Sequence, residues 1–154
     1  MSFDKAKKYL EEKGYADHII ELADSSATVQ LAAQALGVEP GMIAKTLSFL
    51  NGDKPILILA EGIARIDNHK YKDTFHVKAK MIPFDEVEKY IGHAPGGVCP
   101  FGIKEGIAVY LDESLKKYDT VYPAAGNDHS AVKLTIAELE VVAGMEGWVD
   151  VCKD

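Results

Sequence analysis

The stretch that decides the fold is AKTLSFLNGDKPILILA, residues 44–60. Residues 44–50 alternate between polar and apolar side chains, which is typical of a strand with one buried face. Asn51-Gly52 is a strong signal for a tight hairpin turn, and residues 55–60 return as a nearly continuous apolar strand. We therefore predict an antiparallel hairpin in the middle of a β-sheet.

Lys45 occupies an unusual position in the first of these strands. It shares strand parity with Leu47 and Phe49, so it lies in phase with residues expected in the core. Its ammonium can reach out of apolar surroundings to water or to an acidic partner. Alternatively, it can project into a cleft and hold a phosphate or a polarised carbonyl. The neighbouring Thr46 is expected on the opposite face.

Outside the hairpin, helical and strand patterns alternate along all 154 residues, which we interpret as a single domain. The patterns predict an α+β fold with a mixed, largely antiparallel sheet flanked by helices. The helices are expected at about 2–13, 29–36, 40–43, 67–75, 84–91 and 135–144, and the other strands at 18–22, 77–82, 107–111, 120–124, 131–134 and 148–152.

A second informative stretch is GGVCPFG, residues 96–102. Glycine permits positive φ and close backbone approach, whereas proline fixes φ and removes a donor. We expect a shaped loop whose N–H groups line a pocket; a tight connection without a ligand is the alternative. Gly97 and Gly102 have phosphate-loop spacing, but Ile103 stands where that motif needs lysine, which excludes a nucleoside triphosphatase of that type.

Charge and composition exclude other classes of function. With 24 acidic and 17 basic residues the net charge is −7, which argues against broad, nonspecific nucleic-acid binding. The one basic stretch, residues 69–80, is either a solvated face or a local contact for RNA. No apolar run is long enough to span a membrane, and the N-terminus lacks a signal peptide. We therefore expect a cytoplasmic protein without membrane contact.

The remaining reactive side chains do not form a recognisable centre. The five histidines show no paired spacing, so we predict neither a metal site nor a cofactor. Cys99 and Cys152 are expected to be free thiols, and Cys99 an inert one. Residues 126–130, GNDHS, form a polar turn or part of a site.

Four blocks in this order resemble the YbaK-type aminoacyl-tRNA deacylases and the similar editing domain of bacterial prolyl-tRNA synthetases. The blocks are residues 32–40, 43–47, 96–102 and 125–134. The resemblance covers almost the whole chain. It implies the fold of that family, with a curled, barrel-like sheet, and a free-standing hydrolase that uses neither a metal nor a covalent intermediate.

The resemblance also implies the site residues. The family's essential lysine corresponds to Lys45, and its glycine-containing loop approaches the aminoacyl-adenosine end of the tRNA. We predict Lys45 and Gly97 as catalytic residues. The predicted substrate-binding residues are Thr46, Gly96, Val98, Cys99, Pro100, Phe101, Gly102, His129 and Ser130.

The expected substrate is a proline tRNA carrying cysteine, alanine or serine, with prolyl-tRNA synthetase as a candidate partner. Water would attack the ester, helped by a ribose hydroxyl, while loop N–H groups stabilise the oxyanion. A non-catalytic module that binds a tRNA end, a nucleotide or a synthetase is the alternative. A hydrolase of some other ester is a third reading. The sequence indicates no oligomeric state.

Overall fold

The computed structural model describes residues 2–153, the side chain of Ser2 excepted. The helices are α1 (Ser2–Lys13), α2 (Val29–Leu36), α3 (Asn68–Phe75), α4 (Val87–Ile91) and α5 (Ile136–Val142). The strands are β1 (Ile19–Glu21), β2 (Ala44–Asn51), β3 (Lys54–Glu61), β4 (Arg65–Ile66), β5 (Ala108–Asp112), β6 (Thr120–Val121), β7 (Ser130–Val132), β8 (Leu134–Thr135), β9 (Gly147–Val149) and β10 (Cys152–Lys153). Short 3₁₀ turns lie at Ala16–His18, Pro40–Met42, Phe84–Glu86 and Glu113–Lys117.

The largest sheet has the strand order β2-β3-β5-β9. β2 and β3 form the predicted antiparallel hairpin, and Gly52 in its turn adopts φ 68°. β5 then pairs in parallel with β3, and β9 in parallel with β5. The pairs β1–β7, β4–β10 and β6–β8 are antiparallel. The predicted α+β class with a mixed sheet is confirmed.

The hairpin does not lie in the middle of the sheet as expected. β3 and β5 are central, whereas β2 is an edge strand of the four. Parallel pairing needs a long crossover connection, and residues 62–107 supply it between β3 and β5. Local sequence patterns do not reveal which strand pairs across such a connection, so this part of the prediction was wrong.

The predicted strand at residues 77–82 is also absent; these residues cover the free edge of β2. Met81 forms a single antiparallel bridge with Phe49. The Leu50 N–H donates to the Lys80 carbonyl at 2.9 Å, and the Ile82 N–H to the carbonyl of Ser48 at 3.1 Å. The segment is therefore fixed to the sheet without extending it.

Both faces of the central strands are buried, as expected for strands with parallel neighbours. Leu57 and Leu59 face a cluster that includes α1, α5 and the glycine loop (residues 96–102). Ile58 and Phe49 face a second cluster around Tyr71 of α3. A third, smaller cluster joins α2 to β7 beside the start of β2. Among residues 2–153, no helix is long and apolar enough to cross a membrane.

Candidate active site

A pocket of about 300 Å³ opens beside β2. Its walls come from the segment before α2, from β2, from the glycine loop, from β7 and from the turn around Phe84. The pocket brings together five of the predicted site residues, which are Lys45, Thr46, Gly96, Val98 and Ser130. Within the described part of the chain, its lining contains no Asp, Glu, His or Cys.

Two hydroxyl groups in this pocket are buried without a hydrogen-bond partner among residues 2–153. They are Thr46 Oγ1, on the middle of the pocket-facing side of β2, and Ser26 Oγ, on the segment before α2. A buried polar atom without a partner costs free energy, and native structures leave few of them. Both residues line the pocket, so a ligand that bonded either hydroxyl would remove this cost.

Lys45 lies where β2 meets the end of β3. Its ammonium donates to the carbonyl of Gly62 at 3.2 Å and to the carbonyl of Ala64. Burial lowers the pKa of Lys45, while Cys152 and the carboxylate of Glu61 act in the opposite direction. An ammonium has three donors, so the two carbonyls leave it one donor for a ligand.

The first half of the glycine loop meets the turn at residues 126–127. A Cβ at Gly97 would lie 2.5 Å from Asn127 N and 2.5 Å from Gly126 C, so only glycine fits there. The Gly97 N–H donates to the Ala94 carbonyl at 3.1 Å and is therefore engaged within the loop. Gly96, with φ 91°, and Val98 on either side line the pocket.

The second half of the loop packs into the core and does not line the pocket. Cys99 and Phe101 are fully buried, Pro100 is buried, and a Cβ at Gly102 would lie 2.6 Å from the carbonyl of Lys5 in α1. Burial raises the pKa of the Cys99 thiol to about 12, which fits the expected inert thiol. These residues hold the loop in place, and their contact with a substrate stays a prediction.

His93, which the sequence analysis did not single out, holds this half of the loop in place from within the core. Its side chain is fully buried, and its Nε2 lies 2.6 Å from the Phe101 carbonyl and 3.5 Å from Cys99 Sγ. A bond to a carbonyl requires a proton on Nε2. Burial lowers the pKa of His93 against the raising effect of the Phe101 carbonyl, which favours the neutral ring.

We expect the protein to lose stability as the pH falls below 6.5, the usual pKa of histidine. The folded state holds His93 neutral while the unfolded chain takes up its proton, so acid favours unfolding. Uptake of one such proton by the unfolded chain lowers the free energy of unfolding by at most about 1.4 kcal/mol per pH unit. Urea denaturation at pH 7 and pH 5 should show a smaller loss for His93→Gln, which keeps a donor but cannot titrate. Equal losses in both proteins would contradict this expectation.

The polar turn contributes one of its two predicted residues. Ser130 lines the pocket, and its hydroxyl donates to Asn127 Oδ1 at 2.7 Å. His129 is exposed, and its Nδ1 lies 2.9 Å from Asp128 Oδ1. His129 is outside the pocket lining, so its role in binding stays a prediction.

Other lining residues were missed by the sequence analysis, notably Ser26, Phe84 and Val87. Ser26 and Phe84 lie in segments without a recognisable motif, and only the fold brings them to β2.

The basic stretch does not form part of the pocket wall. Lys70 donates to Asp150 Oδ1 at 3.1 Å and to the Cys152 carbonyl at 3.0 Å, while Lys78 and Lys80 are exposed. Among residues 2–153, no group of three or more His, Cys, Asp or Glu side chains is placed to hold a metal ion. The expectation that no metal is used stays a prediction.

Comparisons with known proteins identify the family. The model of the aminoacyl-tRNA editing domain matches residues 23–141. "Uncharacterized protein YwhH" of Bacillus subtilis is 45% identical over 155 residues, covering 100% of this chain and 99% of that protein. "Putative Cys-tRNA(Pro)/Cys-tRNA(Cys) deacylase EbsC" of Enterococcus faecalis is 26% identical over 122 residues, covering 78% of this chain and 74% of that protein.

The fold is similar to a solved structure described as "a putative trans-editing enzyme for prolyl tRNA synthetase". The two chains superpose with a TM-score of 0.89 at 31% identity, and the match covers 99% of this chain and 98% of the other. The family model alone spans well over half of the sequence. The resemblance predicted from the sequence is thereby confirmed, and the chain belongs to the aminoacyl-tRNA editing domain family.

Proposed function

We propose that this protein hydrolyses the ester bond of mischarged aminoacyl-tRNA. The observation that carries the proposal is the pocket itself, which holds two unpartnered buried hydroxyls beside a lysine and a glycine loop. Its volume of about 300 Å³ suits a small aminoacyl group and part of a ribose better than a whole nucleotide. Membership in the editing family supports the same reaction.

In the proposed mechanism, the aminoacyl ester enters between β2 and the glycine loop. The hydroxyls of Ser26 and Thr46 accept hydrogen bonds from its α-ammonium, and Lys45 faces the phosphate or the ester oxygen. Since the Gly97 N–H is engaged with Ala94, we assign oxyanion stabilisation to the backbone N–H of the next residue, Val98, which belongs to the pocket lining. Hence Gly97 acts by shaping the loop.

We infer that water attacks with help from the ribose hydroxyl next to the ester. The described lining offers no carboxylate or imidazole as a general base, and a base must lie within hydrogen-bond reach of the water. The hydroxyl would orient the water and return a proton to the leaving ribose oxygen. The products are a free amino acid and an intact tRNA.

The names of the similar proteins suggest the substrate. We propose a proline tRNA carrying cysteine, alanine or serine, in the cytoplasm, with prolyl-tRNA synthetase as the partner that releases it. Small apolar differences between amino acids give only modest discrimination by binding, so a synthetase that misactivates them needs a second step. Proline would be rejected by the size and shape of the pocket.

The direct test is deacylation of proline tRNA charged separately with cysteine, alanine, serine and proline. We expect the protein to hydrolyse at least one of the first three esters and to spare the prolyl ester. Decay of all four at the buffer rate would overturn the proposal for this tRNA.

The non-catalytic module remains the second candidate, and the absence of a general base from the described lining favours it. Such a module would bind mischarged tRNA and protect its ester. Fluorescence anisotropy with the same four tRNAs separates the two functions: binding without hydrolysis would support the module, whereas multiple turnover excludes it.

Removing the unpartnered hydroxyl of Thr46 should separate stability from function. We expect Thr46→Val to keep or raise the melting temperature, because a buried unpaired hydroxyl costs roughly 1–3 kcal/mol, and to lower kcat/KM for deacylation. The matched control is Thr135→Val, whose hydroxyl accepts from the Glu138 N–H at 3.1 Å in a capping box. That variant should lose about 1 kcal/mol and keep its activity. A destabilised Thr46→Val protein with normal kinetics would contradict the role of this hydroxyl.

A further inference from the structure

Phe84 is a large apolar side chain at the rim of the pocket. It is 79% exposed, although it lines the same pocket as Lys45 and Thr46. Aromatic rings at the mouth of a nucleic-acid site serve as platforms on which bases stack. We propose that the terminal adenine of the tRNA stacks on Phe84 while the aminoacyl group occupies the pocket. This inference rests on the proposed function and assigns its base-binding residue.

The backbone around Phe84 is fixed, so the ring is presented in a defined place. The Ile82 N–H donates to the Ser48 carbonyl at 3.1 Å, which ties the segment to β2. Pro83 precedes the ring with φ −56°, and its carbonyl accepts from the Glu86 N–H at 2.8 Å. Val87, one turn later, is buried and lines the pocket. A preorganised ring loses little freedom when a base stacks on it.

Charge around the rim favours a base at Phe84 and phosphates farther along the chain. Asp85, directly after Phe84, is exposed and repels a phosphate at this point. Lys78 and Lys80, on the segment that leads to the ring, are exposed as well and can neutralise phosphates of the preceding nucleotides. Pro95, directly before the glycine loop, and Val98 within it also line the pocket, so the base would meet apolar surface there too.

The terminal base also has the right connection to the pocket. In an aminoacyl-tRNA the ester and the adenine are attached to one ribose, so a base at the rim places the ester inside. The pocket of about 300 Å³ then has to hold only the aminoacyl group and part of that ribose. Stacking tolerates any base because every base has a π-face. We thus expect Phe84 to supply affinity for the tRNA end rather than selection of the amino acid.

Proline tRNA with 2-aminopurine in place of its terminal adenine tests the stacking directly. Wild-type protein should quench the 2-aminopurine fluorescence on binding. Phe84→Ala should bind about tenfold to hundredfold more weakly and lose the quenching, whereas Phe84→Tyr should keep both. Met81→Ala is the matched control, since Met81 is 56% exposed on the same segment but lies outside the pocket lining. Equal quenching by wild type and Phe84→Ala would overturn the inference.

Kinetics provide the second readout. For the aminoacyl-tRNA, Phe84→Ala should raise KM about tenfold to hundredfold and change kcat little. For the 2′(3′)-aminoacyl ester of methyl riboside, which keeps the ribose hydroxyl but has no base, wild type and variant should react alike. If wild type hydrolyses the tRNA ester and Phe84→Ala has the same KM, the stacking role alone fails. If wild type quenches 2-aminopurine but hydrolyses no ester, the proposed function alone fails.

A second copy of this chain is the other candidate to cover Phe84. Sedimentation of wild type and Phe84→Ala without tRNA distinguishes self-association at Phe84 from stacking of the terminal adenine. A dimer that dissociates on substitution while the quenching persists would assign the ring to self-association and overturn the inference. A sedimentation coefficient that is unchanged by the substitution, with quenching lost, supports it.

Discussion

Lys45→Met is expected to lower kcat/KM for deacylation by about 100- to 1,000-fold, the effect of removing one preorganised donor from a developing negative charge. Methionine keeps the apolar stem of the side chain and removes only the charge and its donors. Lys45 is a residue of the pocket lining, and the carbonyls of Gly62 and Ala64 fix the position of its ammonium. Single-turnover deacylation of the best noncognate ester is the measurement.

The structural role of the same lysine has to be separated from its chemical role. Without the ammonium, the two carbonyls lose their donor, so some loss of stability accompanies the substitution. Lys104→Met is a matched control, because the exposed Lys104 also donates to a backbone carbonyl, that of Lys89, at 2.5 Å, and lies outside the pocket lining. Rates should be compared well below both melting temperatures. An Lys45→Met protein with wild-type kcat/KM would remove Lys45 from the mechanism.

The pH dependence of the reaction offers an independent check on Lys45. Burial lowers its pKa below the usual 10.5, so the ammonium is lost at a lower pH than from an exposed lysine. After subtraction of the buffer rate, enzymatic deacylation should therefore decline on the alkaline side as the pH rises through this lowered pKa. An Lys45→Arg protein, whose guanidinium stays charged, should not show that decline.

The sequence was most informative where the structure depends on local pattern. The hairpin at residues 44–60, the Thr135 capping box and the ends of α2 are set by neighbours in the chain. The parallel pairing of β5 and β9 is not, because the chemistry of a strand does not specify a partner that is reached through a long crossover. The edge position of β2, which leaves room for the pocket, depends on that pairing.

The same distinction between local sequence pattern and tertiary packing applies to the residues of the candidate site. Lys45 and the glycine loop could be found from strand parity and glycine spacing, whereas Ser26 and Phe84 could not, since each comes to β2 through tertiary packing. Within the loop, the pattern of residues 96–102 did not reveal which half faces the pocket. Burial decides it, because Cys99 and Phe101 are the apolar anchors that the core accommodates.

Gly97→Ala is expected to lower the free energy of unfolding by about 1–3 kcal/mol and to reduce kcat/KM in the protein that remains folded. The new Cβ would lie 2.5 Å from two backbone atoms, Asn127 N and Gly126 C, which cannot rotate away as the end of a side chain can. The loop or the 126–127 turn must move. Gly96, Val98 and Ser130 lie on these two segments, so the pocket changes shape with them.

Gly147→Ala is the matched control, since a Cβ there meets nothing within 4 Å and the residue does not have a positive φ. It exchanges the same atoms in β9, away from the pocket lining, and should keep stability and activity near wild type. Urea denaturation and deacylation of all three proteins give both readouts. If Gly97→Ala has the same free energy of unfolding as the control, the loop can move away from the turn without a loss of stability. If it also has the same kcat/KM as the control, the close packing of these two backbones does not shape the site.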